Sequence, residues 1–291
     1  MLVRLPPGAK RDIVLRELQE VHKHAIDTLK QSESIDVEAW SAYNQYLSWV
    51  DNATYRLRYH LSDEDLNTLV LSKRYWTLLN VTTSLPSPRL KDLVIVELEA
   101  RETAVGLAAQ RLAEQIERWT RPGAFVMFDT SVFVHHEEKL EDIDVGGLLG
   151  SRDHQVHLLV PMVVIDELDQ LKESKNRHVR WRARHSLAVL DRLLPHPTHP
   201  SILRPADFTP LNSGGIPRGE VTVEIILDPP GHSRLPIEDD EIVDQAATAQ
   251  VLAGRSVTLV TFDTGQSMRA RAAGLQCIKI EQPPEESPST S

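Results

Sequence analysis

Cysteine is almost absent: Cys277 stands alone among 291 residues. A single thiol cannot close an internal disulfide, which excludes the disulfide-stapled secreted scaffolds. Near the amino terminus no basic stretch runs into an apolar core. The longest unbroken apolar run, Leu158 to Ile165, contains Pro161 and falls far short of the ~20 residues that cross a bilayer. A cytoplasmic protein without a membrane span is the expectation. Phosphate-cradling G-x-x-x-x-G-K-[ST] loops are missing, and so are the G-x-S-x-G elbow and the helical H-E-x-x-H pair. With one cysteine, a zinc site would have to use His135-His136 or His196 and His199, which sit in expected loops. Nucleotide-loop, serine-hydrolase and zinc chemistries are therefore set aside.

What is present is enough apolar sequence for a folded core, 41% against 25% charged residues, with a net charge of −10. The charge is uneven. Residues 1–121 hold 16 basic and 17 acidic side chains, leaving 16 and 25 of the chain's 32 and 42 for the remainder. Inside that acidic remainder, the stretch from Lys172 to Arg192 reverses sign through Lys172, Lys175, Arg177, Arg180, Arg182, Arg184 and Arg192.

The first 120 residues carry helical periodicity almost throughout. Val14, Leu18, Val21, Ala25 and Leu29 mark one helix; Val37, Trp40, Tyr43, Leu47, Val50, Leu57 and Leu61 mark a second. Ser62 with Asp65 reads as a cap opening a short third. Leu93, Val96, Ala100, Ala104, Leu107, Leu112, Ile116 and Trp119 predict one face of a fourth. The region reads as a small helical bundle of unknown role, with the tryptophans at 40, 49, 76 and 119 in its core. A protein partner or a second copy of the chain would meet it through these helices.

Arg121-Pro122-Gly123 breaks that texture. Beyond it, over residues 123–281, strand-like runs at Phe125–Phe128, Val156–Val160, Val221–Leu227, Val257–Phe262 and Leu275–Ile280 alternate with helical stretches. Alternation of this kind implies an α/β fold, a parallel sheet flanked by helices, with its site at the carboxyl ends of the strands. Pro195 to Gly219 reads as an insertion or hairpin, and residues 282–291 as a disordered tail.

Acidic residues fall where such a site would lie. Asp129 and Asp263 each follow a strand, Asp166-Glu167 follows another, and Glu238-Asp239-Asp240-Glu241 opens a helix with Asp244 one turn on. Each alone is explained as a helix N-cap. Four segments delivering carboxylates to one sheet edge are not, because like charges there repel unless a cation neutralises them. Oxygen-only donors suit Mg²⁺ or Mn²⁺. The Asp129-Thr-Ser-Val-Phe segment lacks the second Asp of aspartyl-phosphate enzymes and the second Ser of a metal-dependent adhesion loop.

The segments Phe-Val-Met-Phe-Asp129-Thr-Ser, Val-Pro-Met-Val-Val-Ile-Asp-Glu167-Leu-Asp-Gln-Leu-Lys, Asp239-Asp240-Glu-Ile-Val and Val-Thr-Phe-Asp263 resemble, in order, the four signature segments of PIN-domain nucleases, of the larger type with an E-L-D-x-L-K segment. The resemblance spans roughly residues 123–281 and leaves the first 120 outside it. It implies that Asp129, Glu167, Asp239 and Asp263 hold the metal, with Asp240 the alternate for the third position and Asp244 an accessory ligand. Helical spacing favours Asp239, three residues before the apolar Ile242, and puts Asp240 in a flanking row with Asp244. The implied activity is metal-dependent hydrolysis of single-stranded RNA, leaving a 5′-phosphate and a 3′-hydroxyl, with DNA not excluded as a substrate. The basic stripe Lys172, Lys175, Arg177, Arg180, Arg182 and Arg184 would draw in the phosphates. The alternative is a PIN-like module that binds RNA or protein without cutting.

Overall fold

The structure, a computed structural model, describes the whole chain except residues 1, 2, 4, 7, 81–86, 198, 229–231 and 282–291. The expected disordered tail lies outside the described residues. The chain divides into two compact units, residues 1–120 and 121–291.

In the first unit, α1 (Arg11–Glu33), α2 (Ala39–Leu57) and α5 (Ser87–Arg118) pack on one another, with the short α3 (Asp63–Leu69) and α4 (Lys73–Leu79) between α2 and α5 in the chain. Ser62 caps α3 by accepting from the Asp65 amide at 3.1 Å, as its spacing predicts. Ser72 does the same for α4, a helix too short to show a period in the sequence, with the Tyr75 amide at 3.0 Å. Val14, Leu18, Val21 and Ala25 of α1 are buried, together with Tyr46, Trp49, Val50 and Ala53 of α2. Burying each larger aliphatic side chain among them contributes about 1.5–3 kcal/mol.

Two expectations are corrected here. The buried row of α5 is Leu90, Val94, Leu98, Val105, Ala108 and Leu112, whereas Leu93, Val96 and Leu107 are exposed. Glu97 disguises the true row by placing a carboxylate within it. That carboxylate is buried because Ser72 (2.6 Å), Arg74 (3.2 Å) and Arg101 (3.0 Å) satisfy it. Of the four tryptophans, Trp49 and Trp119 are core, but Trp40 and Trp76 are exposed, edge-on to Tyr43 and Tyr75 at 5.6 and 5.0 Å.

The second unit is an α/β layer. Its strands are β1 (Ala124–Phe128), β2 (Val156–Pro161), β3 (Ser201–Arg204), β4 (Val221–Ile226), β5 (Val257–Thr261) and β6 (Gln276–Lys279). They lie in the order β3-β4-β2-β1-β5-β6, all parallel except β3 at the edge. Helices α6 (Thr130–His135), α7 (Val145–Leu148), α8 (Met162–Leu171), α9 (Arg177–Leu193), α10 (Glu238–Ala253) and α11 (Thr264–Ala272) connect them. The inner strands are buried along nearly their whole length and are mostly apolar, with His157, Thr222, Glu224, Thr258 and Thr261 as buried polar exceptions. Pro195 to Gly219 forms the antiparallel β3, a 3-10 turn at Thr209–Ser213 and an Asp207–Arg218 bridge. Gly123, at φ 109°, turns the chain into β1 where a Cβ would strike the Gln155 carbonyl at 2.5 Å. Among the described residues no helix is long and apolar enough to cross a membrane.

From β1 the chain moves first to one side of the sheet, through β2 and β4, and then returns to the other side at β5. The gap between the carboxyl ends of β1 and β5 is thus a topological switch point, the place where open α/β sheets form sites.

Candidate active site

Asp129 stands at that switch point. Its amide donates to the Val260 carbonyl at 3.0 Å, continuing the β1–β5 ladder by one residue. The residue is only 5% exposed, and its carboxylate is turned to two hydroxyls: Oδ2 accepts from Thr261 Oγ1 at 2.6 Å and from Ser131 Oγ at 2.7 Å. Both hydroxyls work twice. Thr261 Oγ1 also accepts from the Asp263 amide at 2.8 Å, and Ser131 Oγ from the Phe262 amide at 3.0 Å. The two strand ends are therefore sewn together around one carboxylate. Asp263 follows β5 and caps α11, with Oδ1 accepting from the Gln266 amide at 3.0 Å. Capping and a site role are compatible for it, since a carboxylate has more lone pairs than one amide uses.

Glu167 lies in the second turn of α8, where Thr130 Oγ1 donates to Oε2. Burial, and after it the charges of Glu238 and Asp129, push its carboxyl up to about 7, against the pull of the Thr130 hydrogen bond. Asp239, in the first turn of α10, is raised as well, by burial first and then by Asp129, with Arg269 opposing and Asp263 and Asp240 adding. Asp129 thus acts electrostatically on both Glu167 and Asp239, and Asp263 acts on Asp239. Asp240 faces Arg269 of α11, whose Nε donates to its Oδ1 at 2.8 Å while Nη1 reaches Asp239 Oδ2 at 3.3 Å. Asp244 is half-buried one turn along α10. Asp166 points elsewhere: Arg234 bridges it (2.5 Å) to Asp228 (2.7 Å).

The start of α10 is fixed from behind. Glu241, fully buried, accepts from the Leu235 amide at 2.9 Å and Gln245 at 2.9 Å, and meets His232 Nε2 at 2.7 Å. Burial alone would raise its pKa; these hydrogen bonds outweigh burial and lower it.

Sequence reasoning gives Glu238 no role beyond its place in the acidic start of α10, and misses Arg269. Glu238 precedes Ile242 by four residues and so shares its face by the rule that selects Asp239. Arg269 shows no sequence signal, because nothing local tells which face of α11 meets α10. The hydroxyls of Thr130, Ser131 and Thr261 lie within two residues of Asp129 or Asp263, and that adjacency is the signal for them.

The basic stripe does not survive intact. Arg182 is 2% exposed, its Nε donating to the Phe133 carbonyl at 3.2 Å and its Nη2 to that of Glu138. Buried and committed to backbone, it holds the loop after α6 and is withdrawn from the phosphate-binding set. Lys175 and Arg177 are exposed. Lys172 pairs with Asp169 at 2.5 Å, Arg180 Nη1 donates to the Ser174 carbonyl at 2.7 Å, and the exposed Arg184 meets the Lys172 carbonyl at 3.2 Å. Trp181, overlooked within this helix, is 48% exposed and stacks on His185 at 5.3 Å.

The donors suit a hard divalent cation. They are all oxygens, and the burial and mutual repulsion that raise Glu167 and Asp239 are what a cation relieves. Among the described residues, no three such groups converge closely enough to hold an ion as they stand. The fit rests on donor chemistry and charge. In comparison with known proteins, a family model described as PIN domain matches residues 126–281, more than half of the chain. No curated protein matches it.

Proposed function

The chain belongs to the PIN-domain family, and on that premise we propose that it is a metal-dependent endoribonuclease hydrolysing phosphodiester bonds of single-stranded RNA at Asp129, Glu167, Asp239 and Asp263. PIN domains are generally nucleases that use divalent ions. One observation carries the reading: carboxylates from separate segments lie at a sheet's switch point, near enough that Asp129 raises both Glu167 and Asp239. Asp129, Glu167, Asp239 and Asp263 would hold Mg²⁺ or Mn²⁺, with Asp240 and Asp244 as outer ligands. The chemistry a bound ion would supply there is a lowered pKa for water and an offset of charge on the phosphoryl and leaving oxygens.

The chain's own groups keep the acids in place. Thr261 and Ser131 fix the rotation of the Asp129 carboxylate, Thr130 holds Glu167, and Arg269 ties the acids of α10 to α11. Lys172, Lys175, Arg177, Arg180 and Arg184 supply the positive charge that an acidic centre needs to attract a polyanion. The free thiol Cys277 fits a reducing, cytoplasmic setting. A non-catalytic binding module is the second reading, favoured by Arg269, which already neutralises Asp239 and Asp240 from within.

The test is incubation of the purified protein with end-labelled single-stranded RNA and Mn²⁺, Mg²⁺ or a chelator. Internal cuts bearing 5′-phosphates, present with metal and absent with chelator, are expected. Intact RNA with both metals, or cleavage that survives the chelator, contradicts the proposal.

A further inference from the structure

Phe262 sits between Thr261 and Asp263, and its amide donates to the same Ser131 hydroxyl that bonds Asp129. Two imidazoles flank its ring: His135 at 6.4 Å and 76° between planes, and His136 at 6.4 Å and 69°. Both distances lie in the range over which aromatic pairs attract edge-to-face. His135 is exposed, and His136 and Phe262 are half-buried. The histidines end the short helix that begins directly after Asp129, so all three rings are anchored to the strand ends that carry Asp129 and Asp263.

We infer that His135, His136 and Phe262 form a subsite that stacks one unpaired nucleobase of RNA beside the acids. The inference rests on the nucleic-acid reading of that site. Every base has a π-face, so stacking tolerates any sequence, but a base already stacked inside a duplex cannot enter. The subsite selects unpaired strands by that exclusion.

It is also built before a ligand arrives. His136 Nδ1 accepts from the Glu138 amide at 3.1 Å, which puts the proton of the neutral ring on Nε2. The buried Arg182 guanidinium grips the carbonyls of Phe133 and Glu138, so residues 134–137 run between two fixed points. A loop ordered in advance costs little further entropy on binding. Arg182 is thus a positioning residue, where its place in a basic stripe suggested direct contact with phosphate.

The test is a fluorescence titration of the full chain into a single-stranded RNA carrying 2-aminopurine, in chelator so that no cleavage intervenes. Wild type should quench the probe, and the same oligonucleotide annealed to its complement should stay bright. Phe262→Ala should abolish the quench and weaken binding about fivefold or more. Phe262→Tyr should restore both. His135→Ala, at an exposed position, should reduce the quench without disturbing the fold. A probe that stays bright with wild type, or one that Phe262→Ala and His135→Ala quench as strongly as wild type does, overturns the inference. Quenching by a protein that leaves RNA intact with metal would uphold it and sink the nuclease reading alone.

Discussion

Glu167 shows how burial and neighbouring carboxylates act on one side chain. Its carboxyl sits at about 7 in the folded chain against an ordinary 4.5. The stability it contributes is complete below 4.5, where both states are protonated, and is lost as pH rises from there through 7, the window in which the unfolded chain ionises and the folded carboxyl still holds its proton. Glu167→Gln removes that penalty. The metal-free variant should melt with wild type at about pH 4 and above it at about pH 8. The gain is at most about 3 kcal/mol, reduced by solvent screening. Thermal melts at the two pH values check this, and a variant that melts below wild type at the higher pH would make Glu167 a structural residue.

Among the elements, α9 and its preceding loop contribute in two different ways, and mutation should separate them. Changing Lys175, Arg177 and Arg184 together to Ala should weaken RNA binding and flatten its salt dependence, since each lost phosphate contact removes released counterions. Arg182→Met should instead lower stability by about 1–3 kcal/mol, because two carbonyls lose their donor. Filter binding across salt concentrations and chemical denaturation measure the two effects; a flat salt response in wild type, or an Arg182→Met protein of full stability, contradicts the division. The same helix shows what a sequence can tell. Sign and spacing reveal a basic stripe, but whether an arginine faces water or the loop after α6 is a tertiary fact. The strands are legible because runs such as Phe125–Phe128 and Val257–Thr261 are short, mostly apolar and rich in β-branched and aromatic residues, and Asp129 and Asp263 because they follow such runs. The inward row of α5 is hidden by the buried Glu97, whose partners Ser72 and Arg74 come from distant sequence.

At the scale of the molecule, the helical unit of residues 1–120 lies outside the matched region, and the candidate site belongs to the unit of residues 121–291. There the chain reverses its direction of travel across the sheet, and β1, β5, α8 and α10 each bring an acid towards one end of it. The central claim is that these acids act together on an RNA phosphodiester through a divalent ion. Single-turnover cleavage of end-labelled RNA at saturating Mn²⁺ tests it most directly, comparing wild type with Asp239→Asn and Asp240→Asn. Asp239→Asn should slow cleavage at least about a hundredfold, about 2.7 kcal/mol of transition-state stabilisation, and Asp240→Asn should cost less. Cleavage by Asp239→Asn at the wild-type rate would contradict the account.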